Sequence, residues 1–311
     1  MASRKSNPIP RRGARRLAAP LLTVGLMVGL AVGLGSWLAS GAIGAQPSNG
    51  ESQRPAQFER LQGFSTVVVN HVNATLGTDK LPVANGGGVE PGLLVTVALD
   101  RLQIFDRDVA KLSAGRVSDT AIAAECASGC PAVLYDAFQR SWLEAAVEST
   151  AFAVEIPQRV LLAVHRDLPA DSLLQIAYAV AETRPVQPPQ LALLVNNARG
   201  SLRARSIFLV PPQGLELRQG SAALGLTVEV SPGRYRVTAT DPRYARQHEA
   251  TTPAMLEAIA RDIKRRYPGK ETVIVVPRDG VKVRELMRVA RIMRDDFPRL
   301  VLSAGQDVRT P

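Results

Sequence analysis

Apolar and polar residues follow the same order twice along this chain. Residues 160–182 read VLLAVHRDLPADSLLQIAYAVAE, and residues 272–294 read TVIVVPRDGVKVRELMRVARIMR. Each segment has an apolar strand, an Arg-Asp turn and a helix whose apolar positions recur every three or four residues. A shift of 112 positions (278 − 166) aligns Arg166–Asp167 with Arg278–Asp279. Such a repeat predicts two related units rather than one large domain.

The patterns that flank these segments also occur in pairs. Alternating apolar residues predict one β-hairpin at residues 93–105 and another at 224–239. An amphipathic helix follows each hairpin, and a further apolar strand closes each unit at residues 191–195 and 300–303. The order in each unit is therefore hairpin, helix, strand, helix, strand. This order favours an α+β protein with two small two-layer α/β-sandwich domains.

The only long apolar run lies near the N-terminus. Residues 20–38 are apolar, no charged residue lies between Arg16 and Glu51, and six of the first sixteen residues are basic. About 20 apolar residues are enough to cross a bilayer as a helix, and cations on the N-terminal side hold that end in the cytoplasm. The pattern predicts an uncleaved signal anchor, with a cleaved signal peptide as the alternative.

Gly25, Gly29 and Gly33 share one face of this single predicted transmembrane helix. They either allow close packing against another membrane helix or reflect how common glycine is in such segments. We therefore expect a bacterial inner-membrane protein with one span, a cytoplasmic N-terminus and most of the chain in the periplasm. The expected organisation is a basic tail (1–16), the transmembrane helix (17–40), a linker (41–75), a first domain (76–197), a connector (198–223) and a second domain (224–311).

Charge and motifs narrow the functional classes. The chain has 38 Lys+Arg against 28 Asp+Glu, but much of the excess lies in the N-terminal tail. The charge therefore does not indicate nucleic-acid binding. The glycine tract at residues 86–88 lacks the spacing and the Lys-Ser/Thr of a phosphate loop, and no Gly-x-Ser-x-Gly or His-Glu-x-x-His motif occurs. We predict no catalytic residue, no cofactor and no metal, and hence a protein that is not an enzyme.

Two pairs of residues are candidates for structural roles. Cys126 and Cys130 can form a local disulfide in an exported chain, with two unpaired thiols as the alternative. Asp167 and Asp279 each follow a strand and precede a helix. This position favours a turn and helix-cap role over acid–base catalysis.

Three arginines are candidates for a contact surface. Arg284, Arg288 and Arg291 lie on one face of the last predicted helix. That face is either an ordinary solvated surface or a surface that contacts anionic lipid or cell-wall polymer.

The order of these elements resembles the ExbD/TolR family of biopolymer-transport proteins. LPVA at residues 81–84, the alternating hairpin strands and VIVVPRDGVKVRELMRVARIM at residues 273–293 carry the resemblance. It implies an inner-membrane subunit that forms a dimer beside a multi-span protein of the ExbB/TolQ type. Such complexes use the proton motive force to drive work at the outer envelope.

The chain departs from this family in two respects. The family's membrane helix carries an aspartate for proton coupling, whereas residues 17–50 contain no Asp, Glu, His, Lys or Arg. A helix without a titratable side chain cannot itself bind and release a proton. The soluble unit is also duplicated, so two units could mimic in one chain the dimer that the resemblance implies.

We therefore expect an accessory member of a proton-motive-force-linked transport or energy-transduction complex. Its expected partners are an ExbB/TolQ-like multi-span protein, the membrane, and peptidoglycan or an outer-envelope protein, either as a homodimer or as a single chain. The alternative is a membrane-tethered periplasmic scaffold or cell-wall-binding protein without transport activity.

Overall fold

The computed structural model describes residues 53–118, 120–152, 158–184, 188–216, 224–241, 244, 246–306 and 308–309. The α-helices in these ranges are α1 (Gln53–Thr75), α2 (Ala132–Phe152), α3 (Ala170–Glu182), α4 (Pro253–Arg266) and α5 (Val283–Met293). The strands are β1 (Leu93–Val97), β2 (Arg101–Ile104), β3 (Arg107–Ser113), β4 (Arg116–Val117), β5 (Arg159–Val164), β6 (Gln190–Asn196), β7 (Leu202–Leu209), β8 (Leu215–Glu216), β9 (Thr227–Ser231), β10 (Arg234–Thr238), β11 (His248–Ala250), β12 (Thr272–Pro277), β13 (Arg299–Leu302) and β14 (Val308–Arg309).

Twelve of these strands form one mixed sheet in the order β11-β10-β9-β12-β13-β7-β6-β5-β1-β2-β3-β4. The first unit supplies β6-β5-β1-β2, and the second supplies β13-β12-β9-β10 in the mirrored order. Between them, β7 runs antiparallel to β6 and parallel to β13. The remaining strands, β8 and β14, form a separate two-stranded parallel sheet.

This sheet corrects the predicted fold class. We expected a transmembrane helix followed by two separate small α/β-sandwich domains, whereas a single sheet runs through both units. The reason is β7, which lies within the expected connector at 198–223. Residues 202–207 of β7 pair with β6, and residues 208–209 pair with β13. An exposed strand edge is a template for further pairing, and β7 occupies this edge in both units.

None of the helices in the described ranges is long and apolar enough to cross a membrane. This finding contradicts the predicted location as a single-pass protein of the bacterial inner membrane with its bulk in the periplasm. The expected span at 17–40, with Gly25, Gly29 and Gly33, lies outside the described residues, and so does the basic tail at 1–16.

The strands at the centre of each unit are buried on both faces. Val160, Leu162 and Val164 of β5 pack into a large core with residues of α2 to α5 from both units. Leu161 and Ala163 point to the opposite face. Burial on both faces explains why β5 and its counterpart β12 are continuously apolar rather than alternating.

Different elements cover the opposite face in the two units. In the first unit, Val68 and Val72 of α1 are buried there, although residues 41–75 were expected to be a linker. In the second unit, Ile274 and Val276 of β12 form a cluster with Val210, flanked by residues of β8 and β14. Each unit therefore needs its own additional segment to exclude water from its sheet.

The two units match at a shift of 113 residues through the strand, turn and second helix, not 112. The amide of His165 donates to the carbonyl of Val97 at 2.8 Å, and the amide of Arg278 (165 + 113) donates to that of Val230 at 2.8 Å. Buried helix positions follow the same shift, because all six buried residues of α5 then match buried residues of α3. The two Arg-Asp pairs are therefore not equivalent, and Asp167 corresponds to Gly280.

Candidate functional site

The two units contact each other directly at their strand-to-helix turns. The amide of Ala170 donates to the carbonyl of Val281 at 2.9 Å, and the amide of Val283 donates to the carbonyl of Leu168 at 2.9 Å. These two bonds are equivalent at a shift of 113 residues, because Ala170 corresponds to Val283 (170 + 113 = 283) and Leu168 corresponds to Val281 (168 + 113 = 281). A reciprocal contact of this kind is the property of an interface with two-fold symmetry. We call this contact the seam.

Side chains at the seam form an ion cluster around one carboxylate. Asp167 Oδ1 lies 2.6 Å from Arg284 Nη1 and 3.7 Å from Lys282 Nζ. Asp167 Oδ2 lies 3.9 Å from Arg166 Nε. Because Asp167 Oδ1 is buried and accepts no hydrogen bond from the described residues, these cations compensate its charge.

His165 borders this cluster as a neutral imidazole. Burial lowers its pKa below the ordinary value of 6.5, and Asp167 opposes the shift, while Arg166 and Lys80 add to it. His165 Nδ1 accepts a hydrogen bond from the amide of Asp167 at 3.0 Å. A protonated Nδ1 could not accept this bond, so the turn geometry also requires the neutral form.

Asp167 and Asp279 were predicted to have a turn or cap role, and both lie in turns, but neither is the N-cap residue of the helix that follows it. The N-cap of α3 is Pro169 and that of α5 is Lys282, and within the described ranges no hydrogen bond joins either aspartate side chain to these helix ends. In α5 the carboxylate of Glu285 accepts from the amide of Lys282 at 3.3 Å. Asp167 is instead directed to the cations of the other unit.

The three arginines of the predicted contact surface have different surroundings, because only Arg284 takes part in the seam. Arg288 and Arg291 are exposed on α5, as the amphipathic pattern predicted. Arg284 is also exposed in part but pairs with Asp167. An anionic surface could therefore be contacted by Arg288 and Arg291, whereas Arg284 contributes to the contact between units.

Cys126 and Cys130 are joined in a disulfide within the insertion that follows β4. The carboxylate of Glu182, at the end of α3, accepts from the amides of Ala127 at 2.6 Å and Ser128 at 3.1 Å. The disulfide and this carboxylate together fix the loop against the first unit.

A polar cleft of about 360 Å³ lies next to β7. Its walls include the glycine turn at Gly86–Gly88, Arg205 of β7 and Arg294 beyond the end of α5. Arg205 is only 7% exposed. Burial lowers its pKa, and the nearby Arg294 lowers it further.

Sequence reasoning missed Arg205 because it lies in the expected connector. The glycine tract at residues 86–88 had been compared only with the phosphate-loop motif, which it does not match. The cleft brings together residues that are far apart in sequence: Arg205 is 119 positions from Gly86 and 89 from Arg294 (205 − 86 = 119; 294 − 205 = 89). The alternation of small or apolar with charged residues in RARSI at 203–207 was the available signal, since it predicts a strand with an inward arginine.

A larger and mostly apolar cavity of about 1010 Å³ lies on the other side of β6 and β7. Tyr178, Phe208 and the Pro188–Pro189 and Pro211–Pro212 segments line it. Tyr178 donates from its hydroxyl to the carbonyl of Val210 at 2.7 Å, and burial raises the pKa of Tyr178 to about 12. At neutral pH this hydroxyl is therefore a donor that ties α3 to the segment after β7.

Neither a metal site nor a known relative identifies the function of these sites. No cluster of three or more His, Cys, Asp or Glu side chains suited to a metal occurs in the described ranges. Neither family models nor curated proteins match the chain. The function is therefore inferred from the seam, the cleft and the resemblance carried by the residues quoted above.

Proposed function

We propose that this protein is a non-catalytic binding scaffold in which two ExbD/TolR-like units form a pseudo-dimer within one chain. The reciprocal pair of backbone hydrogen bonds at the seam is the observation that carries this proposal. A homodimer builds such a contact from two copies of one surface. Here both surfaces belong to the same chain, and β7 joins the two units through the sheet.

The ExbD/TolR resemblance supports the choice of partner. It implies a multi-span protein of the ExbB/TolQ type, and we extend the proposal to an accessory role in a proton-motive-force-linked transport complex. A preassembled pair would present a fixed surface to such a partner without the entropic cost of bringing two chains together. The exposed Arg288 and Arg291 lie close in sequence to the seam and are available for contacts of this kind.

The proposal is tested by capturing a tagged full-length chain from its source cells after detergent extraction. We expect an ExbB/TolQ-type protein to be recovered, and sedimentation of the purified chain to give the mass of one chain. Asp167→Arg places a cation beside Arg284 and Lys282 and should reduce the recovery. Asp279→Arg, in the other turn, is the matched control and should not.

Three results would count against the proposal. A stable homodimer of the purified chain would show that the pseudo-dimer does not replace a second copy. Equal recovery of the partner by both variants would show that the seam is irrelevant to binding. Recovery of anionic cell-wall polymer without any multi-span protein would favour a cell-wall-binding scaffold instead.

A further inference from the structure

We propose that the polar cleft beside β7 binds a phosphate group. The cleft is formed by Gly86–Gly88, Arg205 and Arg294, with Arg159 and Glu90 at its wall. This inference is independent of the proposed scaffold function, because it concerns a site that the seam does not use.

Arg205 is a buried cation without an anionic partner. No carboxylate in the described part of the chain pairs with it, and its Nε has no hydrogen bond there. Its Nη1 and Nη2 donate to the carbonyls of Asn85 and Ala290, both at 3.4 Å. These distances exceed the usual range of about 2.7–3.2 Å, so the two bonds compensate only part of the cost of burial. An anion in the cleft would supply the missing partner.

The charge of the cleft favours a dianion. Three arginines and one glutamate line it, which gives a net charge of +2 (3 − 1). Glu90 already pairs with Arg159, so Arg205 and Arg294 are the cations that remain. Among the described residues Arg294 pairs only with Asp295, whose side chain is 80% exposed, and such a surface pair is weak enough to exchange for a ligand. Planar guanidinium groups bind phosphate through paired, charge-assisted hydrogen bonds.

The glycine turn leaves room for a small ligand. A Cβ at Gly86 would lie 2.6 Å from the carbonyl oxygen of Ala204, so this glycine is required for the turn to approach β7. The amide of Gly87 donates to the same carbonyl at 2.8 Å and fixes the turn in place. A Cβ at Gly88, in contrast, would meet no atom within 4 Å. The volume of about 360 Å³ is within the range of small-ligand pockets.

The first experiment measures binding of inorganic phosphate to the full-length chain by calorimetry at constant ionic strength, with chloride as the reference salt. We expect saturable binding with one site. Arg294→Gln should weaken it about tenfold, because one charge-assisted interaction is lost. Arg291→Gln removes an equal charge three residues earlier, in the last turn of α5 and outside the cleft, and should leave the affinity unchanged. No saturable binding, or equal weakening by both variants, would overturn the proposal.

A second pair of variants tests the cleft without removing an arginine. Gly88→Asp introduces a carboxylate at the wall and should abolish phosphate binding, whereas Gly88→Asn has the same size and should retain most of it. Equal effects of the two variants would argue against an anion site.

Two further ligands identify the source of the group. Tighter binding of methyl phosphate than of phosphate would indicate the phosphoryl group of a larger molecule, and the reverse order would indicate the free anion. Acetate binding as tightly as phosphate would overturn the assignment to a dianion.

Discussion

The turn of the first unit carries a carboxylate at the seam, and the turn of the second unit carries cations. Asp167 corresponds to Gly280 at a shift of 113, and Arg284 corresponds to Asp171. Asp171 does not contribute a reciprocal ion pair, because it pairs with Arg116 at 2.6 Å. The two backbone bonds donated by Ala170 and Val283 are thus reciprocal. The bond from the amide of Arg284 to the carbonyl of Arg166, at 2.8 Å, and the ion pairs have no counterpart among the described residues.

This difference shows that two units in one chain can differ in sequence at their contact. In a homodimer each position has the same residue in both copies, so a contact between Asp167 and Arg284 would have to occur twice. Two units in one chain are free of this requirement, and each can carry one half of a complementary pair. The backbone contact depends on the strand and helix positions that both units share, and it therefore persists.

The largest effect that tests this comparison comes from matched core positions. Leu173 of α3 and Leu286 of α5 are equivalent, and both are fully buried. Replacing either with Ala should lower the free energy of unfolding by about 2–5 kcal/mol, because each change removes buried methyl groups and leaves a cavity.

Urea unfolding followed by circular dichroism checks this prediction. Since β7 and the common core join the units, each variant should unfold in one transition at a lower urea midpoint. Leu143→Ala, at a position that is 62% exposed, is the control and should change stability by no more than about 0.5 kcal/mol. A second transition that keeps the wild-type midpoint would mean that the units are independent domains.

Periodicity predicted the repeated strands and helices of the two units, but not α1, β3, β4 or β11, and not the assembly of the units into one sheet. The apolar runs of β5, β12 and α5 reflect which of their residues are buried, and burial is visible in the sequence as the spacing of apolar residues. The pairing of β7 is determined by which strand edges are free, and its Ile207–Val210 run does not specify a partner. Tertiary pairing of this kind has no periodic signal.

The seam and the cleft were unpredictable for related reasons. The two identical Arg-Asp pairs favoured aligning the units at a shift of 112 residues. The buried positions of α3 and α5 require a shift of 113, because the apolar face of each helix must point to the core. Arg205 and Gly88 line the same cleft only because β7 is paired into the sheet. The sequence therefore indicated Asp167, Arg284 and the glycine tract as notable residues, but it did not indicate Arg205 or the contacts that give these residues a role.

A smaller effect distinguishes the two aspartates. Asp167→Asn should lower the free energy of unfolding by about 1 kcal/mol, because Arg284 and Lys282 lose their common partner while Arg284 remains partly solvated. Asp279→Asn, in the turn of the second unit, should change stability by no more than about 0.5 kcal/mol.

Chemical denaturation of the single variants and of Asp167→Asn with Arg284→Gln measures this difference as a double-mutant cycle. A coupling energy near zero, or equal losses for the two aspartates, would remove the ion cluster as a determinant of the seam.

The smallest expected effect concerns the pH dependence of stability at His165, for which the second unit has Arg278. Burial lowers the pKa of His165 in the folded protein below 6.5, so near and below that pH the unfolded chain binds the proton more readily. The contribution of the neutral His165 to stability is then fully present above about pH 6.5, and it is lost as the pH falls below that value. His165→Gln should reduce the slope of unfolding free energy against pH between about 5.5 and 7.5, as measured by urea unfolding at several pH values. An unchanged slope would mean that the carboxylates of Asp167 and Asp79 offset the burial of the imidazole, and that the two turns do not differ in their response to acid.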